Sequence, residues 1–105
     1  MQLATLLARE AIAVQVVTPE AVLWEGQAAM VIARGSEGEL GVLPLHAPLI
    51  TALVDGPMRI RPVGGGPELV LLIHGGFLEV KPDRVTVLAT EARWAEGGPR
   101  EAVGS

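Results

Sequence analysis

The chain has no cysteine, no tyrosine, one phenylalanine and two tryptophans in 105 residues. The missing cysteine removes disulfides and thiolate metal centres, and is neutral between redox compartments. With aromatics at 3%, the core has to be assembled from Val, Leu, Ile and Ala. Basic residues are scarce as well. Eight Lys and Arg against twelve Asp and Glu give a net charge of −4 and a pI near 5.0. That balance speaks against nucleic acid as a partner, because phosphates call for clustered cations. It leaves no polybasic handle for anionic lipid. No apolar run approaches the ~20 residues of a membrane-spanning helix, so direct membrane insertion is not expected. The opening stretch MQLATLLAREAIAV lacks a basic n-region, and Arg9 and Glu10 interrupt its apolar run. No signal peptide is expected, and the cytoplasm is the default.

What the chain does have is apolar bulk and backbone punctuation. Half of the residues are hydrophobic, and the mean hydropathy is +0.43. A chain of this length is one domain by the usual size prior. It can hide roughly two-thirds of its surface, so a surplus of apolar surface is left for a partner face. The punctuation concentrates in Gly35 to Thr51, GSEGELGVLPLHAPLIT, which holds Gly35, Gly38, Gly41, Pro44 and Pro48. Glycine opens positive φ, whereas proline fixes φ and removes a donor. The stretch reads as turn, short strand, turn, short strand. Its prolines place those strands at edges or corners.

The rest of the middle is β in character. Ile12 to Thr18, Val22 to Glu25 and Ala28 to Ala33 read as strands, as do Met58 to Val63 and Leu69 to Ile73. Phe77 to Val80 and Arg84 to Ala89 read as a final hairpin around Lys81-Pro82-Asp83. His74-Gly75-Gly76 reads as a turn. About ten short strands at even spacing predict an all-β sandwich or flattened barrel. Residues 1–11 read as an N-terminal extension, with Leu3, Leu6 and Leu7 at helical spacing in a run too short for a stable helix alone. Residues 12–92 form the domain. Residues 93–105 are polar and aperiodic and are expected to be a disordered tail, with Trp94 an exposed aromatic within it.

Few residues carry a chemical signal. Glu37 and Glu39 flank Gly38 and suit either an acid/base pair or a solvated acidic loop; no nucleophile stands near them in sequence. His46 reads as a structural histidine, since a metal site needs three or four ligands and only His74 could join it. Gly64-Gly65-Gly66 lacks the Lys-Ser/Thr and the helix of a phosphate loop, so it reads as a hairpin tip. Arg59 and Arg61 share one face of a strand. No metal site or cofactor is expected.

GSEGELGVLPLHAPLITAL resembles the signature of the epsilon subunit of F-type ATP synthase, called delta in mitochondria. Val16-Val17-Thr18-Pro19-Glu20 and Leu23-Trp24-Glu25-Gly26 upstream are similar to its opening strands. Gly75-Gly76-Phe77-Leu78-Glu79-Val80 and Val85-Thr86-Val87-Leu88-Ala89 are similar to its closing hairpin. The resemblance covers about residues 12 to 92. It implies the N-terminal β-sandwich of a non-catalytic rotor subunit that joins the gamma subunit to the c-ring and couples ion translocation to ATP synthesis. It implies c-ring contacts at Glu37, Gly38 and Glu39. It implies gamma contacts at Thr18, Leu45, His46, Ala47, Pro48 and Leu49. The family's C-terminal helical hairpin has no counterpart in the 13 residues after Ala92, so helix-mediated inhibition is not expected. The implied location is the cytoplasmic face of the cell membrane, peripheral, within the F1Fo complex. An isolated copy is expected to self-associate through its uncovered gamma face. Two other classes compete: a stand-alone β-sandwich adaptor, and a small metalloenzyme of cupin type, which the two histidines without ligand spacing disfavour.

Overall fold

A computed structural model describes residues 11–95. The expectations for residues 1–10 and 96–105, the missing helical hairpin among them, lie outside the described residues. Seven strands make up the fold: β1 (Ile12–Val17), β2 (Val22–Gly35), β3 (Gly38–Val42), β4 (Leu49–Leu53), β5 (Gly56–Pro62), β6 (Leu69–Lys81) and β7 (Arg84–Trp94). No helix occurs among the described residues.

The all-β class is as the alternation of apolar residues predicts, but there are seven strands rather than about ten. The difference has one cause: segments that glycine seems to separate are continuous. Val22 to Glu25 and Ala28 to Ala33 both belong to β2, running straight through Gly26. Leu69 to Ile73 and Phe77 to Val80 both belong to β6, running through Gly75 and Gly76. β7 continues through Arg93 and Trp94.

The pairings close on themselves. β2 pairs with β1, β1 with β7, β7 with β6, β6 with β5, and β5 with β2. β3 attaches to β2, and β4 bridges β6 and, at Gly35 and Leu53, β2. All pairs are antiparallel except β1 with β7.

A strand can follow such a path only if its inward face changes. In β6 the buried residues are Leu69, Leu71 and Ile73 before Gly75, and Leu78 and Val80 after it. β7 switches likewise, from Val85, Val87 and Ala89 to Ala92 and Trp94. Side chains of a regular strand alternate with period two, so a switch needs a local break in backbone conformation. Gly75 (φ 64°) and Gly76 (φ 122°) supply it. The ladder between His74↔Glu91 and Gly76↔Ala89 stays in register across the break. In β2 the change falls between Ala28 and Val31, beside a register shift against β5.

The core is Val, Ile, Leu and Ala with Met58, and no aromatic ring is buried in it. Trp24 and Trp94 pack against its margins half-buried. Trp94 is therefore a core-edge residue, because β7 carries it back over Leu71.

Candidate interaction faces

The β2–β3 hairpin turns on Ser36 and Glu37, and Gly38 follows at φ 122°. Two backbone hydrogen bonds tie the tip down: Ser36 N–H donates to Ala52 C=O at 2.9 Å, and Val54 N–H to Arg34 C=O at 3.1 Å. Glu37, Gly38 and Glu39 are all exposed on this braced tip. Arg34 stands opposite Glu39 in the strand pair. At the other end of β3 begins the loop 43–48. Leu45 N–H donates to Pro82 C=O at 2.8 Å, fastening the loop to the β6–β7 turn, and His46 N–H donates to Leu43 C=O at 3.2 Å. The five residues of β3 hold the acidic tip and this loop about 17 Å apart at ~3.3 Å per residue.

The expected gamma-facing residues behave differently from one another. Leu45, Ala47 and Pro48 are exposed. His46 is half-buried, with Nδ1 2.7 Å from the Ala47 carbonyl oxygen, so that nitrogen carries a proton and donates. Leu49 points inward and packs against the core. Its neighbour Ile50 points out and is 70% exposed. Thr18 is only 9% exposed. Its N–H and hydroxyl both reach the Ala21 carbonyl oxygen, at 2.9 and 3.4 Å, so Thr18 anchors a turn beside the outward-facing Val17.

Leu45 has φ 66°, the only non-glycine residue at positive φ among those described. A left-handed conformation costs a Cβ-bearing residue about 1–2 kcal/mol. Strain of this kind persists where the surroundings over-determine it and often marks a working surface. Leu45→Gly is therefore expected to leave thermal stability unchanged or raise it by up to about 1 kcal/mol, while weakening partner binding as much as Leu45→Ala does. Paired melting and binding curves for the two variants check this.

Residue-by-residue reading misses an apolar feature that only the strand register assembles. Strand register aligns Val22, Val17, Leu88, Phe77 and Ala52 across β2, β1, β7, β6 and β4. Phe77 is 55%, Leu88 52% and Val22 53% exposed. Val17, Phe77 and Leu88 line one shallow groove together with Thr18 and Pro19. Ile50, two residues before Ala52 on β4 and level with Glu79, extends the exposed apolar surface beside the row. The signal was present in the sequence as excess hydropathy without an address.

Arg59 and Arg61 lie on a different face. Both reach Glu68, at 3.6 and 3.2 Å, so this small basic face is partly neutralised from within. His74 Nδ1 stands 3.2 Å from Asp55 Oδ2 on the surface. Among the described residues no three His, Cys, Asp or Glu stand close enough to hold a metal ion. No helix among them is long and apolar enough to cross a membrane.

The described domain is thus all β, with a braced acidic tip and an exposed apolar row and without a metal-ligating cluster among its described residues. The model of the ATP synthase delta/epsilon chain β-sandwich domain matches residues 11–95, and the chain belongs to that family. It is 52% identical over 79 residues to the ATP synthase epsilon chain of Brevibacillus brevis, covering 75% of this chain and 59% of that one. It is 49% identical over 86 residues to the ATP synthase epsilon chain of Corynebacterium diphtheriae, covering 81% and 69%. The chain thus spans about three-fifths of the length of the first of these relatives. Among solved structures, it resembles a chain of the Euglena gracilis mitochondrial ATP synthase OSCP/F1/c-ring assembly. The TM-score is 0.78 at 25% identity, covering 90% of this chain and 60% of that one. A chain of the Tetrahymena thermophila mitochondrial ATP synthase central stalk and c-ring shares the fold, with a TM-score of 0.64 at 18% identity, covering 78% and 65%.

Proposed function

We propose that this chain is a non-catalytic rotor subunit of an F1Fo ATP synthase, joining the gamma subunit to the c-ring at the cytoplasmic face of the membrane. The observation that carries the reading is the uncovered apolar row on a domain of this family. A soluble domain gains by covering exposed Phe77, Leu88, Val22 and Ile50, and gamma is the partner that the family relationship supplies. The row, with Leu45 and Ala47 on the loop at the β6–β7 turn end of the same strands, grips gamma. Glu37, Gly38 and Glu39 at the braced hairpin tip rest on the c-ring. The distance between tip and loop suits a joint with two partners. A closed ring of strand pairings resists shear better than an open sheet would, as torque transmission requires. Chemistry stays in the catalytic head; this chain supplies contact and stiffness.

The reading is tested by adding the chain to the α3β3γ assembly of its own source. A stable one-to-one complex is expected, and no complex with a chain that remains folded would return the protein to the class of unassigned β-sandwich adaptors. On membranes carrying the rest of the enzyme, Glu37→Gln with Glu39→Gln is expected to lower ion-driven ATP synthesis several-fold without loosening the complex with gamma. Charged rims contribute on the order of 1 kcal/mol each. Unchanged coupling in the double variant would remove the acidic tip from the c-ring contact.

A further inference from the structure

The apolar row has a charged neighbour on one side. One row further along, two residues on β1, β7 and β6 and three on β2 across its register shift, about 7 Å away at ~3.3 Å per residue, register aligns Glu25, Gln15, Thr86 and Glu79 across β2, β1, β7 and β6, with Ile50 next in line on β4. All four belong to the same outward face. Gln15, Glu25 and Arg84 line one open groove, and Glu79 lies between the inward Leu78 and Val80. Gln15 Nε2 donates to Glu25 Oε2 at 2.6 Å, which fixes that carboxylate over the sheet. Among the described residues neither Glu25 nor Glu79 forms an ion pair. The next row holds Arg84 and Lys81, paired across β7 and β6. On the opposite flank Thr18, Pro19 and Thr90 line the groove, and Glu20, Glu91 and Arg93 stand just beyond, around Thr18.

From the row towards the β6–β7 turn the face is therefore ordered in stripes: apolar, acidic, basic. We propose that this order selects the occupant. The surface that covers the row carries an apolar strip edged on one side by lysine or arginine, and those cations seat on Glu25 and Glu79. This rests on the reading that gamma covers the row, and specifies the strip that gamma must present. The length follows as well. Five strands at ~4.8 Å spacing make the strip about 19 Å long. Opposite charges at the edge of an apolar contact help to fix its register. Lys81 and Arg84, one row further out, repel cations set too far from the apolar strip and so narrow the position to one row.

The test is binding of the full chain to the α3β3γ assembly at low and high salt. Glu25→Gln with Glu79→Gln preserves shape and the Gln15 contact and removes both charges. The double variant is expected to bind about tenfold more weakly at low salt. It should also lose most of the salt dependence of the unsubstituted chain, since exposed pairs are screened over ~10 Å at 0.1 M salt. Lys81→Gln, which removes a competing cation, is expected to tighten binding slightly. An unchanged affinity and salt slope in the double variant overturns the inference, as does tighter binding, which would mean an acidic edge on gamma. Absence of binding by the unsubstituted chain would instead overturn the assignment of gamma to this face. Self-association that Phe77→Asp abolishes, without gamma binding, would give the row to a second copy.

Discussion

Phe77→Asp combined with Leu88→Asp is expected to abolish binding to gamma while leaving the fold intact. Both side chains are more than half exposed and stand opposite each other across β6 and β7. Neither lies in the core, so their loss opens no cavity, and exposed substitutions of this kind shift stability by about 0.5 kcal/mol. Covering the exposed part of each contributes about 2–3 kcal/mol at ~25 cal/mol per Å², and central aromatic anchors carry a disproportionate share of interface energy. Losing both weakens binding by about a thousandfold or more, before the cost of burying two carboxylates. Calorimetric titration against the α3β3γ assembly reads the affinity, and a thermal melt reads the fold. A double variant that melts and binds like the parent would remove the row from the interface. Leu49→Asp is a poor substitute, because Leu49 packs on the core and its loss conflates unfolding with weak binding.

The largest effect on stability is expected from Gly76→Ala. A methyl group there would fall on the Leu88 carbonyl oxygen and come within 2.8 Å of Ala89 Cα. Both are backbone atoms of β7, and they cannot swing aside as a side-chain end could. The residue also sits at φ 122°, a region that L side chains rarely adopt. Relief would require β7 to separate from β6 at the point where both strands change their inward face. A cost of about 3–5 kcal/mol follows from strain and lost pairing together. At 4–8 °C per kcal/mol, that lowers the melting temperature by about 20 °C. Gly64→Ala is the control. It too has positive φ, 84°, but a methyl group there meets nothing within 4 Å, so its cost stays near 1 kcal/mol. Equal melting points for Gly76→Ala and the parent would show that the two strands need not approach so closely.

The β class was legible because alternation and β-branched runs are local, and so was the Gly35–Thr51 stretch, whose glycines and prolines announce its turns. The number of strands was not. Gly75-Gly76 carries the signature of a turn, yet its positive φ values serve an inversion of faces inside one strand. Only the ladder from His74↔Glu91 to Lys81↔Arg84 distinguishes the two uses. Leu49 and Ile50 were equivalent until pairing with Val80 and Glu79 set one inward and the other outward. The apolar row was the least legible of all. Its members come from five strands, and no window along the chain contains them together. A resemblance to a family could point to the loop 43–48 because that segment is contiguous. It could not point to a row that exists only after the strands are in register.

The parallel pairing of β1 with β7 has a consequence for how the chain is made. Among the described strands, the first to leave the ribosome waits for the last one. Until Arg84 to Leu88 arrive, Ala13 to Val17 lack one of their two neighbours, and the ring of pairings stays open. Contacts between distant parts of a chain slow folding to milliseconds or longer, and open strand edges invite aggregation meanwhile. A nascent chain halted before β7 would hold most of its apolar residues with nowhere to enclose them, which makes late-strand truncations substrates for chaperones and proteases rather than smaller working versions of the domain.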